Sequence, residues 1–577
     1  MLRLRRVGAA AALVAATLAV MWPTARDGSP IGHDSQWHYV WAAQFVESLA
    51  AGVLYPRWLP GVNEGLGNPT FVFYPPLLYY LGAAGWALTG SVPRGLDVAN
   101  ALMLLVSAIA AYRYLRGGLP RPAALLGAFA LMALPYRILD LYERHAIAEF
   151  AAFAWPPLAL VALRHVARAP SWPAAGPAAA ALAGATAGVA LTHLPSLLLW
   201  GPLFALEAVR LAGPGRRLPG VARAWVALGL GLLAAAVFLL PAVVERSSVQ
   251  IGWLDWVAKA EEHTIFSTRM AHGSQMMAFN HRVGRFACWT GALALVAALA
   301  LLWPGGGRAV AEAPAGEPSP LPVRPAILVG LVAFGLMTGP SAWLWAWLPL
   351  LPSIQFPWRF LCVLTPVAAL LAAGAANRTF APGTPAAARA LGVAALALLG
   401  SNLWLSWAEI VEKTYRGTRT ALEIAAFPAR AQDAAEYRPL AAPAAGFPRL
   451  PKAALLPEGQ ASPVEWRPTR RRIVVDAPLP GRLRVATFFY PGWRATLDGR
   501  ALPIRAGQSG VIEADVPPGR HEVVLRFGGT PGRAAGAALS LVGLGLMVGW
   551  LAWGVRERRG GPGRGLAAGA PPGGTVS

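Results

Sequence analysis

Asp34 and His38 stand four residues apart in the stretch GHDSQWH. That spacing puts both on one face if the residues after them are helical. A carboxylate there can take a proton from a hydroxyl nucleophile, or it can simply cap the helix, a place aspartate fills well. A second cluster is LPYRILDLYERHAIAEF, residues 134–150, which carries Arg137, Asp140, Glu143, Arg144, His145 and Glu149. Arginines among carboxylates suit a phosphate-bearing ligand, with guanidinium groups for the phosphate oxygens and an acid as base or metal ligand. The same residues read equally as an ion-paired helix entry. Glu149 is the sharper case, because it stands near or within the next apolar run, where an acid is a functional candidate by default. PSIQFPWRF adds Gln355, Trp358 and Arg359, which either grip a phosphate or anchor an aromatic belt. His193 in THLPS reads as a packing residue or a ligand, and the loop 245–285 as a mobile segment or a sugar contact.

Asp34, Asp140 and Glu149 offer hard oxygen ligands for Mg2+ or Mn2+. No spacing resembles a zinc site, a phosphate loop, a dinucleotide fingerprint or a serine elbow. The two cysteines, Cys288 and Cys362, fall in or beside apolar runs and read as small core residues.

These groups must be held by elements that cross a membrane. Apolar residues make up 56% of the 577 and charged ones only 14%, well under the share of a soluble domain. Apolar runs of spanning length recur at about 6–22, 97–114, 120–136, 146–164, 174–192, 196–212, 222–244, 286–304, 325–345, 359–376, 385–406 and 533–554. The run 74–90 is short, Pro-led and aromatic, and reads as lying along the interface. With that run flat, the arginine-rich loops all fall on the cytoplasmic side, together with both termini. The basic start, with Arg3, Arg5 and Arg6, reads as the cytoplasmic end of an uncleaved first helix. The net charge of +22 is then arginine on inner loops, and its scatter between apolar runs argues against nucleic-acid binding. The acid- and histidine-bearing segments fall together on the outer side.

The expected organisation is a transmembrane domain over 1–406 with a first outer loop at 23–96, then an outer connector at 407–469. A small antiparallel β domain follows at 470–530, where RRIVVDA, GRLRVATFFY and RHEVVLRF alternate with period two between turn signals. A last span at 531–556 and a disordered cytoplasmic tail at 557–577 complete the chain.

The acid opening the first outer loop, the amphipathic stretch after it and YPPLLYYL resemble the GT-C superfamily of membrane glycosyltransferases. LPYRILDLYERHAIAEF, LTHLPS and IQFPWRF look like the bacterial membrane family labelled "6-pyruvoyl-tetrahydropterin synthase-related". The end of the chain, FFYPGWRATLDGR onward, resembles YfhO-type membrane proteins. The apolar runs and arginine-rich loops give about twelve spans, and the resemblance implies a polytopic helical fold in a bacterial inner membrane. It also implies transfer of a sugar from a polyprenyl-phosphate carrier to an envelope glycan, lipid or protein on the outer face. On that resemblance Asp34 takes the place of the base, and Asp140 or Glu149 that of a second acidic site. Arg137, Arg144 and Arg359 would serve the donor phosphate. His33, His38, Arg57, Glu143, His145, His193, Gln355 and Trp358 complete the candidate substrate contacts. Many members carry paired acids in the first loop, whereas here HDS has one, which leaves a requirement for Mg2+ or Mn2+ open. The competing readings are a transporter or flippase of lipid-linked glycans and a non-catalytic envelope scaffold.

Overall fold

The computed structural model describes residues 2–212, 217–253, 259–269, 274–305, 321–413, 415, 417–418, 433–444 and 446–560. The loop residues Asp255, Trp256 and His272 and most of the expected tail, 561–577, lie outside them. The protein is a multi-pass helical membrane protein with a C-terminal antiparallel β domain. Among the described residues ten helices are long and apolar enough to cross a bilayer, or eleven if a bent pair counts as one.

Two of the twelve expected spans account for the difference. The run 222–244 breaks at Ala235 into helices bent by 69°. The run 325–345 forms only the 14-residue helix Val323–Leu336, followed by a 3-10 turn and the short helix Ala342–Trp347. Fourteen residues rise about 21 Å, against a hydrocarbon core of about 30 Å. The doubtful run 74–90 is the 13-residue helix Leu77–Thr89, also too short to span upright. It turns through Gly90 at φ 68° into Val92–Leu115. Gly85 and Gly95 let the two helices touch, since a Cβ on Gly85 would lie 2.4 Å from the Gly95 carbonyl oxygen.

Proline shapes the segment that carries the second cluster. Leu134 precedes Pro135 and is extended (φ −61°, ψ 150°), as the proline ring requires of its neighbour. Helix Arg121–Ala133 therefore stops and restarts as Pro135–Tyr142, and the chain then turns through 143–146 into Ile147–Ala152.

The β domain begins earlier than its alternation suggested. Ala453–Leu456 and Gln460–Arg467 are already strands of the sandwich, within the stretch read as connector. Pro457 and Pro463 and a register shift beside Pro463 hide their period. Four strands pair in the order 453–456, 481–488, 511–516, 505–506, and five in the order 460–467, 470–477, 519–527, 493–497, 500–502, every pair antiparallel. Ile473, Val475, Leu483, Val485, Val523 and Leu525 fill the space between the sheets. Trp58 of the first outer loop packs its ring on Trp493 and Phe527, so the domain rests on that loop.

The last helix, Pro531–Gly560, returns through small-residue contacts. A Cβ on Gly536, Gly543 or Gly554 would meet the backbone of Ala236, Ala234 or Pro173 within 3 Å. Such close approach is how helices associate where no hydrophobic drive separates protein from lipid.

Candidate functional site

The segment Gly32–Asp34 lies directly on the turn 143–145. His33 and Asp34 donate their backbone N–H groups to the carbonyls of Glu143 (3.1 Å) and Arg144 (2.8 Å). Gly32 allows this approach, because a Cβ there would sit 2.4 Å from the Glu143 carbonyl oxygen. Helix Ser35–Ala50 starts at Asp34, yet the Asp34 carboxylate makes no capping hydrogen bond. It has no hydrogen-bond or ion-pair partner among the described residues, and it is half-buried. Burial raises its pKa above the ordinary carboxylate value, while Arg144 and Arg359 are near enough to pull it back in part.

Those two arginines are held by acids. Arg144 donates to Asp140 Oδ1 (2.5 Å) and Glu149 Oε2 (2.9 Å) and lies over the Trp358 ring at 4.5 Å. Arg359 pairs with Glu149 Oε2 at 3.3 Å and donates to the Ile354 carbonyl (2.9 Å) and to Gln355 Oε1. Glu149 is further fixed at Oε1 by the Tyr136 hydroxyl (2.5 Å) and the Cys362 thiol (3.0 Å). Asp140 and Glu149 are fully buried and committed to cations. They orient the guanidinium groups, and Asp140 Oδ2 is left without a hydrogen-bond partner. Burial works against the charge on Arg144, but its acid partners Glu149 and Asp140 outweigh it and raise the pKa well above the usual value.

The histidines are neutral hydrogen-bonding groups. His38 Nδ1 bonds the Tyr79 hydroxyl (2.6 Å), His145 Nδ1 the Ser35 hydroxyl (2.8 Å) and His193 Nδ1 the Ser196 hydroxyl (2.9 Å). Burial pushes His38 well below the usual imidazole value, and His145 and His193 down to about 3. His33, edge-on to Phe279, is held near 4 by burial and by Arg144 and Arg282. Glu143 forms an ion pair with Arg282.

Two candidates belong elsewhere. Arg137 is fully buried and turned away from Asp34: it donates to the Phe150 carbonyl and lies over the Phe150 and Phe153 rings at 4.1 and 4.4 Å. Its place one helical step from Asp140 suggested otherwise, but proline fixes the helix so that it faces the bundle interior. Arg57 donates to the Val237 carbonyl (3.1 Å), beside the β domain junction.

Sequence reasoning missed the segment that covers this end of the bundle. Asp433 is buried and accepts from Trp41 Nε1 (2.7 Å), Asn68 Nδ2 (2.7 Å), the Thr70 hydroxyl and its neighbour's N–H (2.8 Å). Its own N–H donates to Asn63 Oδ1 (2.9 Å). The next turn lays Tyr437 flat on Phe73 (ring planes 8° apart) and edge-on to Tyr74. It brings Glu436 close enough to Asp34 for the two charges to oppose each other, and burial raises Glu436 to about 7. Nothing local in the Ala/Pro-rich connector marks these residues. Cys362, by contrast, stands three positions after Arg359 on the same helical face, a spacing that could have tied it to the cluster.

Asp140 and Glu149 already neutralise Arg144 and Arg359, and among the described residues no three His, Cys, Asp or Glu side chains gather as a ligand group.

Deeper in the bundle, an apolar cavity of about 320 Å³ opens between helices, lined by Leu115, Phe153, Trp200, Val329, Pro366 and their neighbours. Leu206 and Leu328 on its rim are exposed to the surroundings of the bundle.

No family model matches the chain, and no curated protein matches it. Among solved structures it is similar to the arabinofuranosyltransferase AftD from Mycobacteria, with 18% identity and a TM-score of 0.43 over 69% of this chain. It is also similar to the archaeal oligosaccharyltransferase AglB from Archaeoglobus fulgidus, solved with an inhibitory peptide and a dolichol-phosphate, with 14% identity and a TM-score of 0.42 over 72% of this chain. The chain spans 28% of the length of the first and 57% of the second.

Proposed function

We propose that the protein is a membrane glycosyltransferase that moves a sugar from a polyprenyl-phosphate carrier to a hydroxyl acceptor of the cell envelope. One observation carries the reading: the Asp34 carboxylate has no partner of its own among the described residues, beside two arginines already fixed by other acids. A burial-raised acid with no structural duty is suited to take a proton. Guanidinium groups preset by carboxylates are suited to a phosphate charge that grows as a bond breaks.

In this scheme Asp34 removes the proton of the acceptor hydroxyl as its oxygen attacks the anomeric carbon. The bond from that carbon to the phosphate oxygen breaks, and the electron pair leaves with the carrier phosphate, whose charge Arg144 and Arg359 receive. The proton remains on Asp34 until solvent takes it. A single displacement inverts the anomeric centre. His38, His145 and His193, neutral and bonded, shape the pocket wall, and Tyr74 and Tyr437 offer ring faces for a sugar. The apolar cavity gives a carrier chain room inside the bundle. No step calls on a metal ion. The arginine asymmetry of the loops supports a bacterial inner-membrane location with both termini in the cytoplasm.

The test is turnover of polyprenyl-phosphate hexoses by the purified protein in proteoliposomes supplied with cell-envelope extract as acceptor, read as release of the radiolabelled carrier phosphate. Wild-type protein should release it and Asp34→Asn should not. Equal release by the two forms would remove the proposal.

A further inference from the structure

The second sheet of the β domain carries a row of like charges. Register sets Arg467 opposite Arg470, Arg470 opposite Arg526, and Arg526 opposite Arg494. Four neighbouring strands thus present four arginines in line on one face, across about 14 Å at a strand spacing near 4.8 Å. Arg467, Arg494 and Arg526 are exposed and Arg470 is half-exposed. Like charges set opposite one another across strands destabilise a sheet, so the row calls for an anionic counterpart. Only Glu465 answers from within the domain, to Arg467 at 2.9 Å and Arg470 at 3.4 Å. Arg494 and Arg526 have no acidic partner among the described residues. On the same face the other acids, Asp476 and Glu522, lie at the far end of the strands.

The row lies at the membrane end. Strand Gly519–Phe527 runs toward the bilayer, and Arg526 is five residues before Pro531, where the 30-residue apolar helix begins. Arg494 reaches the Gly529 carbonyl in that link at 3.5 Å. We propose that these four arginines bind the phosphate headgroups of anionic phospholipids in the leaflet beside the β domain, and so hold the domain down on the bilayer surface. A guanidinium fork matches a phosphate diester, and clusters of basic residues next to a span recruit anionic lipid. The short link to the helix keeps the row within reach of headgroups and favours lipid over a soluble polyanion.

The test places full-length protein in vesicles of phosphatidylcholine with about 30% phosphatidylglycerol and compares binding of spin-labelled forms of the two lipids. The preference for phosphatidylglycerol should fall at least about threefold in R467Q/R470Q/R494Q/R526Q and should weaken with salt. R500Q/R520Q, which changes arginines away from the row, should leave it unchanged. If the fourfold variant melts below wild type, R494Q/R526Q, which breaks no ion pair, gives the same reading. An unchanged lipid preference in a folded variant overturns the proposal. So does loss of polygalacturonate binding with lipid preference intact, which would assign the row to a soluble polyanion.

Discussion

Among the described residues two buried acid–arginine clusters are built from the same residue types, and they differ in whether every carboxylate oxygen is used. At the junction of the β domain and the last helix, Glu245 receives Arg533 on both oxygens (2.9 and 2.7 Å), Tyr490 at 2.8 Å and Thr530 at 2.8 Å. Arg533 spends its remaining donors on the Gly528 and Pro491 carbonyls. Neither Glu245 oxygen is left without a partner, and the cluster ties the domain to the bundle. At the other site Arg144 holds Asp140 Oδ1 and Glu149 Oε2, and Arg359 pairs with Glu149, but Asp140 Oδ2 has no hydrogen-bond partner and a further acid, Asp34, stands beside them with neither oxygen bonded among the described residues. Acids among arginines are thus no sign of chemistry in themselves. A carboxylate that the fold brings to such a cluster and leaves unpaired is the informative feature.

The largest expected effect breaks the comparison at its working end. Asp34→Asn should lower carrier-phosphate release by about 10³-fold, the worth of a positioned general base, with the fold intact. Glu245→Ala should do the reverse. Breaking a buried pair leaves an uncompensated charge and costs about 3–5 kcal/mol. That loss should appear in denaturation of the purified protein, while activity per folded molecule stays near wild type. If both substitutions act on stability alone, the distinction between the two clusters fails.

Gly32→Ala sharpens the comparison without touching an ionisable group. The new methyl would lie 2.4 Å from the Glu143 carbonyl oxygen, so the first outer loop must lift off the 143–145 turn. Displacing a catalytic group by about an ångström costs about 10²-fold. Turnover should fall by that order. Asp140 and Glu149 keep their partners, so the melting temperature should move little. Normal turnover in Gly32→Ala would mean that the contact between the two segments does not set the site.

Much of this was legible in the chain, and the limits are physical. Arginine asymmetry and apolar run length grouped Asp34, residues 134–150, His193 and Arg359, and those segments do meet. Period-two alternation found the β domain from 470 onward, but prolines masked its first two strands. Side-chain direction was beyond reach: Arg137 and Arg144 are one heptad apart and look alike, yet one faces the bundle interior and the other faces Asp34. Asp433 and Glu436 were invisible because their roles come from contacts about 365–400 residues distant in sequence, and no local pattern encodes such pairings. Helix length also misled, since residues 325–345 were read as one span, yet the helix stops after Leu336 and residues 338–341 turn the chain.

The smallest expected effect concerns pH, and it separates a working acid from a structural one by sign. Burial raises the Asp34 pKa in the folded protein above an unfolded value near 3.9. The folded state therefore keeps this proton to higher pH than the unfolded chain does. Stability from this group is greatest at low pH and falls as pH rises from the unfolded value through the folded one. Asp34→Asn removes that loss. The variant and wild type should melt together in acid, and the variant should melt higher at neutral pH. Turnover of the wild type should rise over the same raised window, as the carboxylate ionises and becomes able to accept a proton. A paired carboxylate such as Glu245 should give the opposite stability result, since its loss weakens the fold at neutral pH. If Asp34→Asn also melts lower at neutral pH, Asp34 supports the structure and the difference between the two clusters is one of degree.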